Sequence, residues 1–291
     1  MEIQIVLLVL ASAALHPLWN LLVKKNPDPQ LGYICLVFVM GLSALVHGLV
    51  VGADFSAVLP VWPFVALSIC GQICYGIGLT VTLKRGDLSA YYPIIRASPV
   101  FVVIVSVLLL GKTYSPIVLL GIGMAVAGSF LLLYRRGTRF LEDPRTLMFA
   151  CLAMSGTGIY SLADARLMQS ISPPVLVFFV EMLVLPVFFV QWLRQRAVAP
   201  AVAPTIITPT IRISSLTRII LPGMIAYSSY YLILVAYQLG GEVAIVTSLR
   251  QASIPISVAL GGLFLREGAM LRRFIAASVL ALGIVIIALY G

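Results

Sequence analysis

Long apolar runs separated by short polar segments follow one another along the whole chain. A helix needs about 20 apolar residues to cross a bilayer. Runs bounded by Lys, Arg, Pro, Gly and Asp therefore predict ten transmembrane helices in an all-α integral membrane protein. The predicted helices cover residues 3–23, 31–51, 62–83, 88–110, 115–134, 146–166, 174–193, 219–239, 243–265 and 273–290.

The longest predicted connection is 194–218, in which Pro200, Pro204 and Pro209 are interspersed with Thr, Ser and Arg. Proline lacks the N–H that a helix interior needs, so this composition disfavours a helical continuation. We expect a flexible loop exposed to solvent.

The second half of the chain repeats polar and glycine positions of the first. These positions carry the comparison, because any two apolar helices match by chance. Residues 84–136 align with 239–290 at an offset of 154, with a one-residue slip after the first three pairs. The matched pairs are Gly86 with Gly240, Ala90 with Ala244, Arg96 with Arg250, Ser98 with Ser253, and Gly128 with Gly283.

This repeat divides the ten predicted helices into two five-helix units, 1–136 and 146–291. An odd number of crossings turns the second copy upside down, which gives the inverted repeats found in many secondary transporters. The predicted fold is therefore ten transmembrane helices in two inverted five-helix repeats.

Composition supports the membrane prediction, because 61% of residues are hydrophobic and only 10% are charged, against about a quarter charged in soluble domains. The net charge of +9 does not indicate nucleic acid, since basic residues punctuate the apolar runs instead of clustering on one face. Fifteen Lys and Arg lie on one predicted side, and only Lys112 and Arg166 lie on the other. The positive-inside rule then predicts a cell inner membrane protein with both termini outside the cytoplasm.

Several motifs resemble the EamA-type transporters of the drug/metabolite transporter superfamily, over nearly the whole chain. His16-Pro17-Leu18-Trp19-Asn20 followed by Lys24 is similar to the segment that opens EamA halves. Ala97-Ser98-Pro99-Val100-Phe101, running to Leu110-Gly111-Lys112, resembles the family's Ser-Pro-Val segment, and Ala252-Ser253-Ile254-Pro255 repeats its outline. Lys112 stands where the family usually has an acid.

The resemblance implies a central cavity between the halves and transport of a small organic metabolite by alternating access. Family substrates include amino acids, nucleotide sugars, sugar phosphates, drugs and lipid-linked sugars, so the substrate stays open. Alternatives are a flippase for a lipid-linked anionic head group and an amino-acid or drug exporter. A phosphonate or another small anion fits the opening segment, which in similar proteins is associated with phosphonate use.

Arg96 and Arg250 lie about seven or eight residues inside predicted helices, roughly 10–12 Å deep. Buried charges in a membrane usually face a wet cavity or a partner. Because the halves are inverted, we expect both arginines to line one cavity and to bind a carboxylate, phosphonate or phosphate. The alternative is that each is tied to an intramembrane acid and only holds helices together.

Candidates for proton coupling are Asp164, Glu181 and His16, because a carboxyl or imidazole in a low-dielectric site can titrate near neutral pH. Asp164 lies close to a helix end beside Arg166, where solvation is the alternative. His16 lies in the middle of its helix, where a structural, hydrogen-bonded histidine is the alternative.

Further substrate-binding candidates are Trp19, Asn20, Gln72 and Tyr230, which lie deep in predicted helices. Pro99 and Pro255 follow the two arginines and should bend the fourth and ninth helices, either as gating hinges or as static kinks.

No catalytic, metal or cofactor site is predicted, because the sequence has no His-Glu-x-x-His, no Gly-x-Ser-x-Gly and no clustered acids. We therefore do not expect an enzyme. The expected partners are a small-molecule substrate and the lipid bilayer. Gly121, Gly123 and Gly128, with Gly261-Gly262, favour close helix packing and leave a homodimer open.

Overall fold

A computed structural model describes residues 2–24, 28–85, 88–133, 143–198, 213–256 and 270–291, and these residues form helices and no strand. Short 3₁₀ segments, Phe55–Val61 and Arg250–Ala252, precede α3 and follow α10, and residues 253–256 are helical again. The helices are α1 (Ile3–Lys24), α2 (Pro29–Val50), α3 (Trp62–Arg85), α4 (Leu88–Arg96), α5 (Ser98–Leu108), α6 (Pro116–Leu133), α7 (Pro144–Leu167), α8 (Pro173–Val198), α9 (Ile213–Gln238), α10 (Val243–Leu249) and α11 (Met270–Tyr290).

Seven apolar segments of the described chain are long enough to cross a membrane. Three shorter apolar helices, Pro116–Leu132, Val243–Ile256 and Ile275–Tyr290, accompany them. Large apolar side chains lie on the outer surface, such as Leu108 at 74% exposure and Leu289 at 69%. So much exposed apolar surface, on helices of this length, indicates a multi-pass membrane protein.

Two predicted boundaries need correction. The predicted helix 88–110 is interrupted at Ala97, which separates α4 from α5. The predicted loop 194–218 is shorter at both ends, because α8 continues through Val198 and α9 begins at Ile213. Gln and Arg in the last turns of α8 favour helix, so that helix extends past its apolar segment. Residues 199–212 lie outside the described residues.

Acidic side chains begin several helices. Asp28 accepts hydrogen bonds from the backbone N–H groups of Gln30 and Leu31 at the start of α2. Asp143 caps α7 in the same way, and Glu242 caps α10. These caps satisfy N–H groups that have no partner within the first turn of a helix.

Glycine permits the close crossing of α3 and α7. A Cβ atom on Gly71 would lie 2.6 Å from the backbone nitrogen of Tyr160 and 2.9 Å from the carbonyl oxygen of Gly156. The crossing of α6 with α11 is similar, because a Cβ atom on Gly121 would lie 3.1 Å from the carbonyl oxygen of Gly283. Backbones can approach this closely only where a side chain is missing.

Reciprocal serine hydrogen bonds join α1 to α9. The Ser12 hydroxyl donates to the backbone carbonyl of Ser229 at 2.7 Å, and the Ser229 hydroxyl donates to that of Ser12 at 3.0 Å. Helix α2 packs against both α8 and α9. Helices α5 and α10 pack against each other, and α6 and α7 contact both of them.

Candidate functional site

Two interrupted helices meet near the middle of the bundle. The first is interrupted at Ala97, between α4 and α5, and the second changes to a 3₁₀ turn at Arg250–Ala252. Pro99 and Pro255 follow these interruptions, as their predicted bending role requires. Each lacks the N–H that would bond four residues back, to Ile95 and Gln251 respectively. The missing bonds account for the position of both interruptions.

Side chains bridge the two interruptions. The Val100 N–H donates to Ala97, three residues back, so the Arg96 carbonyl is left for another donor. Gln251 fills that role, with 2.5 Å between its Nε2 and the Arg96 oxygen. In the other direction, Arg96 Nη2 donates to Ser253 Oγ at 2.6 Å, and Ser253 Oγ donates to the Arg250 carbonyl at 2.9 Å.

A small chamber of about 50 Å³ lies at this junction. Both arginines line it, together with side chains from α1, α3 and α7. Its lining residues are His16, Tyr75, Ile95, Arg96, Ser98, Thr157, Tyr160, Thr247, Arg250 and Gln251. The structure therefore brings together Arg96 and Arg250, which lie 154 positions apart in the sequence.

A larger chamber of about 100 Å³ adjoins the small one, since His16, Tyr75, Tyr160 and Arg250 line both. We call the two chambers together the central cavity. Beyond these shared residues, three predicted binding residues, Trp19, Gln72 and Tyr230, and the predicted proton-coupling residue Glu181 line the larger chamber. Its lining residues are His16, Trp19, Tyr33, Leu36, Met40, Gln72, Tyr75, Tyr160, Glu181, Ala226, Ser229, Tyr230 and Arg250.

The two buried acids occupy different places relative to this cavity. Glu181 is 4% exposed and lines the larger chamber, whereas Asp164 is fully buried behind the wall. Ser68 Oγ donates to one carboxylate oxygen of Asp164 at 2.6 Å, and the Tyr230 hydroxyl donates to the other. Asp164 is therefore not solvated at the helix end, and Tyr230 connects it to the cavity.

Neither cavity arginine is held by a buried acid within the part of the chain that the structure describes. The ion pairs there join Arg85 to Asp143 and Arg196 to Asp28. Arg96 Nε is buried without a hydrogen-bond partner. A guanidinium with a free donor, facing a cavity, can bind an anion in bidentate fashion.

Asn20 is the predicted binding residue that the structure does not bring to the central cavity. Its side chain is exposed, although Trp19 beside it lines the larger chamber. Successive residues on a helix point about 100° apart, so neighbours in sequence face different surroundings. Trp19 lines the larger chamber and also contacts the His16 ring edge to face, with 4.9 Å between ring centroids.

Several cavity residues had no place in the sequence-based prediction, above all Tyr160, Tyr33 and Gln251. Each is a polar side chain inside an apolar run, which is the signal that could have found them. Gln251 also directly follows Arg250. The sequence does not show on which face of its helix each of these residues lies.

Comparisons with known proteins give the fold alone. No protein-family model matches the sequence, and no curated protein matches it. Among solved structures, 29 chains match. One of them, a crystal structure of a protein, has a TM-score of 0.74 and 19% identity, over 98% of this chain and 96% of its own. This chain is thus similar in fold to a solved protein along nearly its full length.

Proposed function

We propose that this chain is a secondary transporter of the EamA type, within the drug/metabolite transporter superfamily. In this proposal ten transmembrane helices form two inverted five-helix halves, and a small organic metabolite with an anionic group crosses the cytoplasmic membrane by alternating access. The single observation that carries the proposal is the cavity lined by both Arg96 and Arg250, with no acid paired to either among the described residues.

Helix pairing supports two related halves. If the halves are exchanged, α1 takes the place of α7 and α3 the place of α9, so the α3–α7 pair becomes the α9–α1 pair. Both pairs are present, and the pairs α2–α8 and α6–α11 each map onto themselves. The interrupted helices also exchange, and they cross at the arginines. An approximate two-fold relation of this kind is expected for an inverted repeat.

An anionic group on the substrate is supported by the charges of the cavity. Arg96 and Arg250 contribute two permanent positive charges, and the small chamber has no acidic lining residue. Guanidinium groups match carboxylate, phosphonate and phosphate in planar, bidentate geometry. Trp19, Gln72 and Tyr230 line the adjoining chamber and would contact the rest of the solute.

Chamber volumes of about 50 and 100 Å³ favour a small solute over the head group of a lipid. A cavity needs at least about 10–15 Å³ of such volume to hold one water molecule, so these chambers have room for several water-sized groups. The flippase alternative instead requires an opening toward lipid and a pocket the size of a head group.

Proton coupling is part of the proposal, with Glu181 as the carboxyl that meets the cavity. Asp164 is reached through Tyr230. His16 lines both the chamber that contains Glu181 and the chamber that contains the two arginines. Pro99 and Pro255 would serve as gating hinges where the two interrupted helices cross. Protonation of a carboxyl near the arginines would change the charge that the substrate meets.

Transport into proteoliposomes, and thermal shift with anionic, zwitterionic and cationic metabolites, test this function. Arg96→Gln and Arg250→Gln should each weaken binding of the stabilising anion by about 10–100-fold, since a hydrogen bond to a charged group contributes about 1.5–3 kcal/mol. Arg166→Gln is the control, because Arg166 is exposed beside Phe64, away from the cavity. Unchanged transport in both cavity variants, or stabilisation by cations alone, would overturn the proposal.

Orientation is tested separately. The predicted excess of Lys and Arg on one side supports an orientation in which both termini lie outside the cytoplasm of a cell with an inner membrane. A reporter that is active only in the cytoplasm, fused after Gly291, should stay inactive. Activity of that fusion would reverse the orientation and leave the cavity argument unchanged.

A further inference from the structure

A second space lies on the outer surface of the bundle, between α3 and α8. Its volume is about 910 Å³, within the range of about 300–1,000 Å³ that is usual for ligand sites. It shares no lining residue with the central cavity. We call it the α3–α8 groove, and it is lined by Ile77, Lys84, Pro186, Val187, Val190, Gln191, Arg194 and Gln195.

The lining residues separate into two chemical zones along the helices. Ile77, Pro186, Val187 and Val190 form an apolar wall, and Val190 is 44% exposed. Toward the ends of both helices the lining changes to Lys84, Gln191, Arg194 and Gln195. From Ile77 to Lys84, and from Pro186 to Arg194, the groove runs about 10–12 Å along the helices. That length fits within one leaflet, which is about 15 Å of hydrocarbon.

Packing of α3 against α8 explains why the groove opens where it does. The two helices touch at Gly76, where an added Cβ atom would collide with the Phe188 ring. Nearer the helix ends, α3 and α8 contact each other through long polar side chains. Lys84 Nζ donates to Gln195 Oε1 at 2.5 Å, and this contact bridges α3 and α8 at the mouth of the groove.

Charge at the mouth favours an anion. Within the described ranges neither Lys84 nor Arg194 forms an ion pair with an acid. Both lie on the side for which the sequence predicts most of the Lys and Arg. Basic side chains between membrane helices on that side attract the anionic head groups of the facing leaflet.

We infer that the α3–α8 groove binds one anionic glycerophospholipid. Its phosphate contacts Lys84 and Arg194, Gln191 and Gln195 donate to its remaining oxygens, and one acyl chain lies along the apolar wall. The lipid fills the space beyond the Gly76 contact and holds the ends of α3 and α8 in place. Because the groove is separate from the central cavity, this inference does not depend on the transported solute.

The test compares phosphatidylglycerol with phosphatidylcholine of the same acyl chains, added to the delipidated full-length protein. Binding is followed by native mass spectrometry and by thermal shift. Phosphatidylglycerol should bind and raise the melting temperature. The Lys84→Gln/Arg194→Gln double variant should weaken that binding by about thirtyfold, which corresponds to about 2 kcal/mol for two basic residues. Equal binding of both lipids, or unchanged binding by the double variant, would overturn the inference.

A matched control removes the same charge elsewhere. Lys112→Gln/Arg166→Gln takes away two exposed basic residues outside the groove and should leave phosphatidylglycerol binding unchanged. An equal loss in this control would show general surface attraction and count against the site.

Two further measurements separate the lipid from a free anion. Val190→Trp fills the apolar wall from the exposed side, keeps both basic residues, and should also weaken phosphatidylglycerol binding. Glycerol phosphate, which has the charged group without acyl chains, should give no thermal shift. If it stabilises the protein as strongly as the lipid does, the site is a simple anion site and the inference fails.

Discussion

Gln251 donates its side-chain amide to the backbone carbonyl of Arg96, with 2.5 Å between Nε2 and O, and so ties one interrupted helix to the other. The carbonyl is free for this donor because the helix is interrupted at the next residue, Ala97. In the other direction, the Arg96 guanidinium donates to the hydroxyl of Ser253 in the second interrupted helix. The backbone at Arg96 is therefore fixed by a side chain from the opposite half of the chain.

Replacing Gln251 with Leu should lower the free energy of unfolding by about 1–3 kcal/mol, because it leaves the Arg96 carbonyl buried without a donor. Substrate affinity should fall as well, since Arg96 would lose the hydrogen bond that fixes its backbone. Denaturant or thermal unfolding in detergent measures the first effect, and the metabolite titration measures the second. Ser129→Ala is the control, because the Ser129 hydroxyl bonds within its own helix at 2.7 Å and reaches Gln251 only at 3.4 Å. An equal effect of both substitutions would contradict this role of Gln251.

Tyr230→Phe should destabilise the protein by about 1–3 kcal/mol, because it removes one of the hydroxyl donors that reach the fully buried carboxyl of Asp164. Tyr231→Phe, one residue along α9, is the matched control and should have little effect. Combining Tyr230→Phe with Asp164→Asn should cost less than the sum of the two single changes, because both act on the same contact. Additive losses in unfolding experiments would show that the two side chains act independently.

Gly71→Ala should weaken the α3–α7 crossing by about 1–3 kcal/mol through overpacking, since the new Cβ atom would meet backbone atoms of α7. Gly123→Ala adds the same methyl group where no atom lies within 4 Å, and it should be neutral. Thermal unfolding of the two variants in the same detergent measures the difference. Similar melting temperatures for both would mean that α3 and α7 do not cross so closely.

Apolar runs were sufficient to predict a helical membrane protein, because a membrane helix is defined by its own composition. They did not predict the interruption at Ala97. The sequence also led to the expectation that Arg96 and Arg250 line one cavity, through the hypothesis that the second half is an inverted copy of the first. Both side chains line the small chamber. Trp19, Gln72 and Tyr230 could be proposed from their depth alone. These features depend on position along a helix, which the sequence gives directly.

Features that depend on helix rotation or on distant partners could not be predicted. Asn20 has the depth of Trp19 but points away from the cavity. Asp164 lies near a helix end, yet it is buried because Ser68 and Tyr230, from two other helices, close over it. Contacts across 66 or 96 positions leave no local pattern in the sequence.

Asp28 joins the start of α2 to the end of α8 and should make stability depend on pH. Its second carboxylate oxygen accepts from Trp192 Nε1 at 3.0 Å and from Arg196 Nη2 at 3.2 Å. Partial burial acts to raise the pKa of Asp28, but the Leu31 N–H, the Trp192 indole and the Arg196 guanidinium outweigh it and hold the pKa below the ordinary value of 3.8.

A carboxyl whose folded-state pKa is lowered stabilises the fold above its unfolded-state pKa, and this stabilisation is lost as the pH falls through the folded-state pKa. Asp28→Asn should therefore be less stable than the natural sequence near pH 7, by about 0.2–1 kcal/mol, because Asn keeps the cap but loses the partly exposed ion pair with Arg196. The difference should shrink as the pH falls below 3.8. Unfolding of both proteins across this pH range measures the stability difference. When Arg196→Gln is introduced into both proteins, the difference near pH 7 should be smaller, because Arg196 is one of the partners that favour the charged form of Asp28. A stability difference that stays constant down to the lowest pH would mean that the charge of Asp28 does not stabilise the contact between α2 and α8.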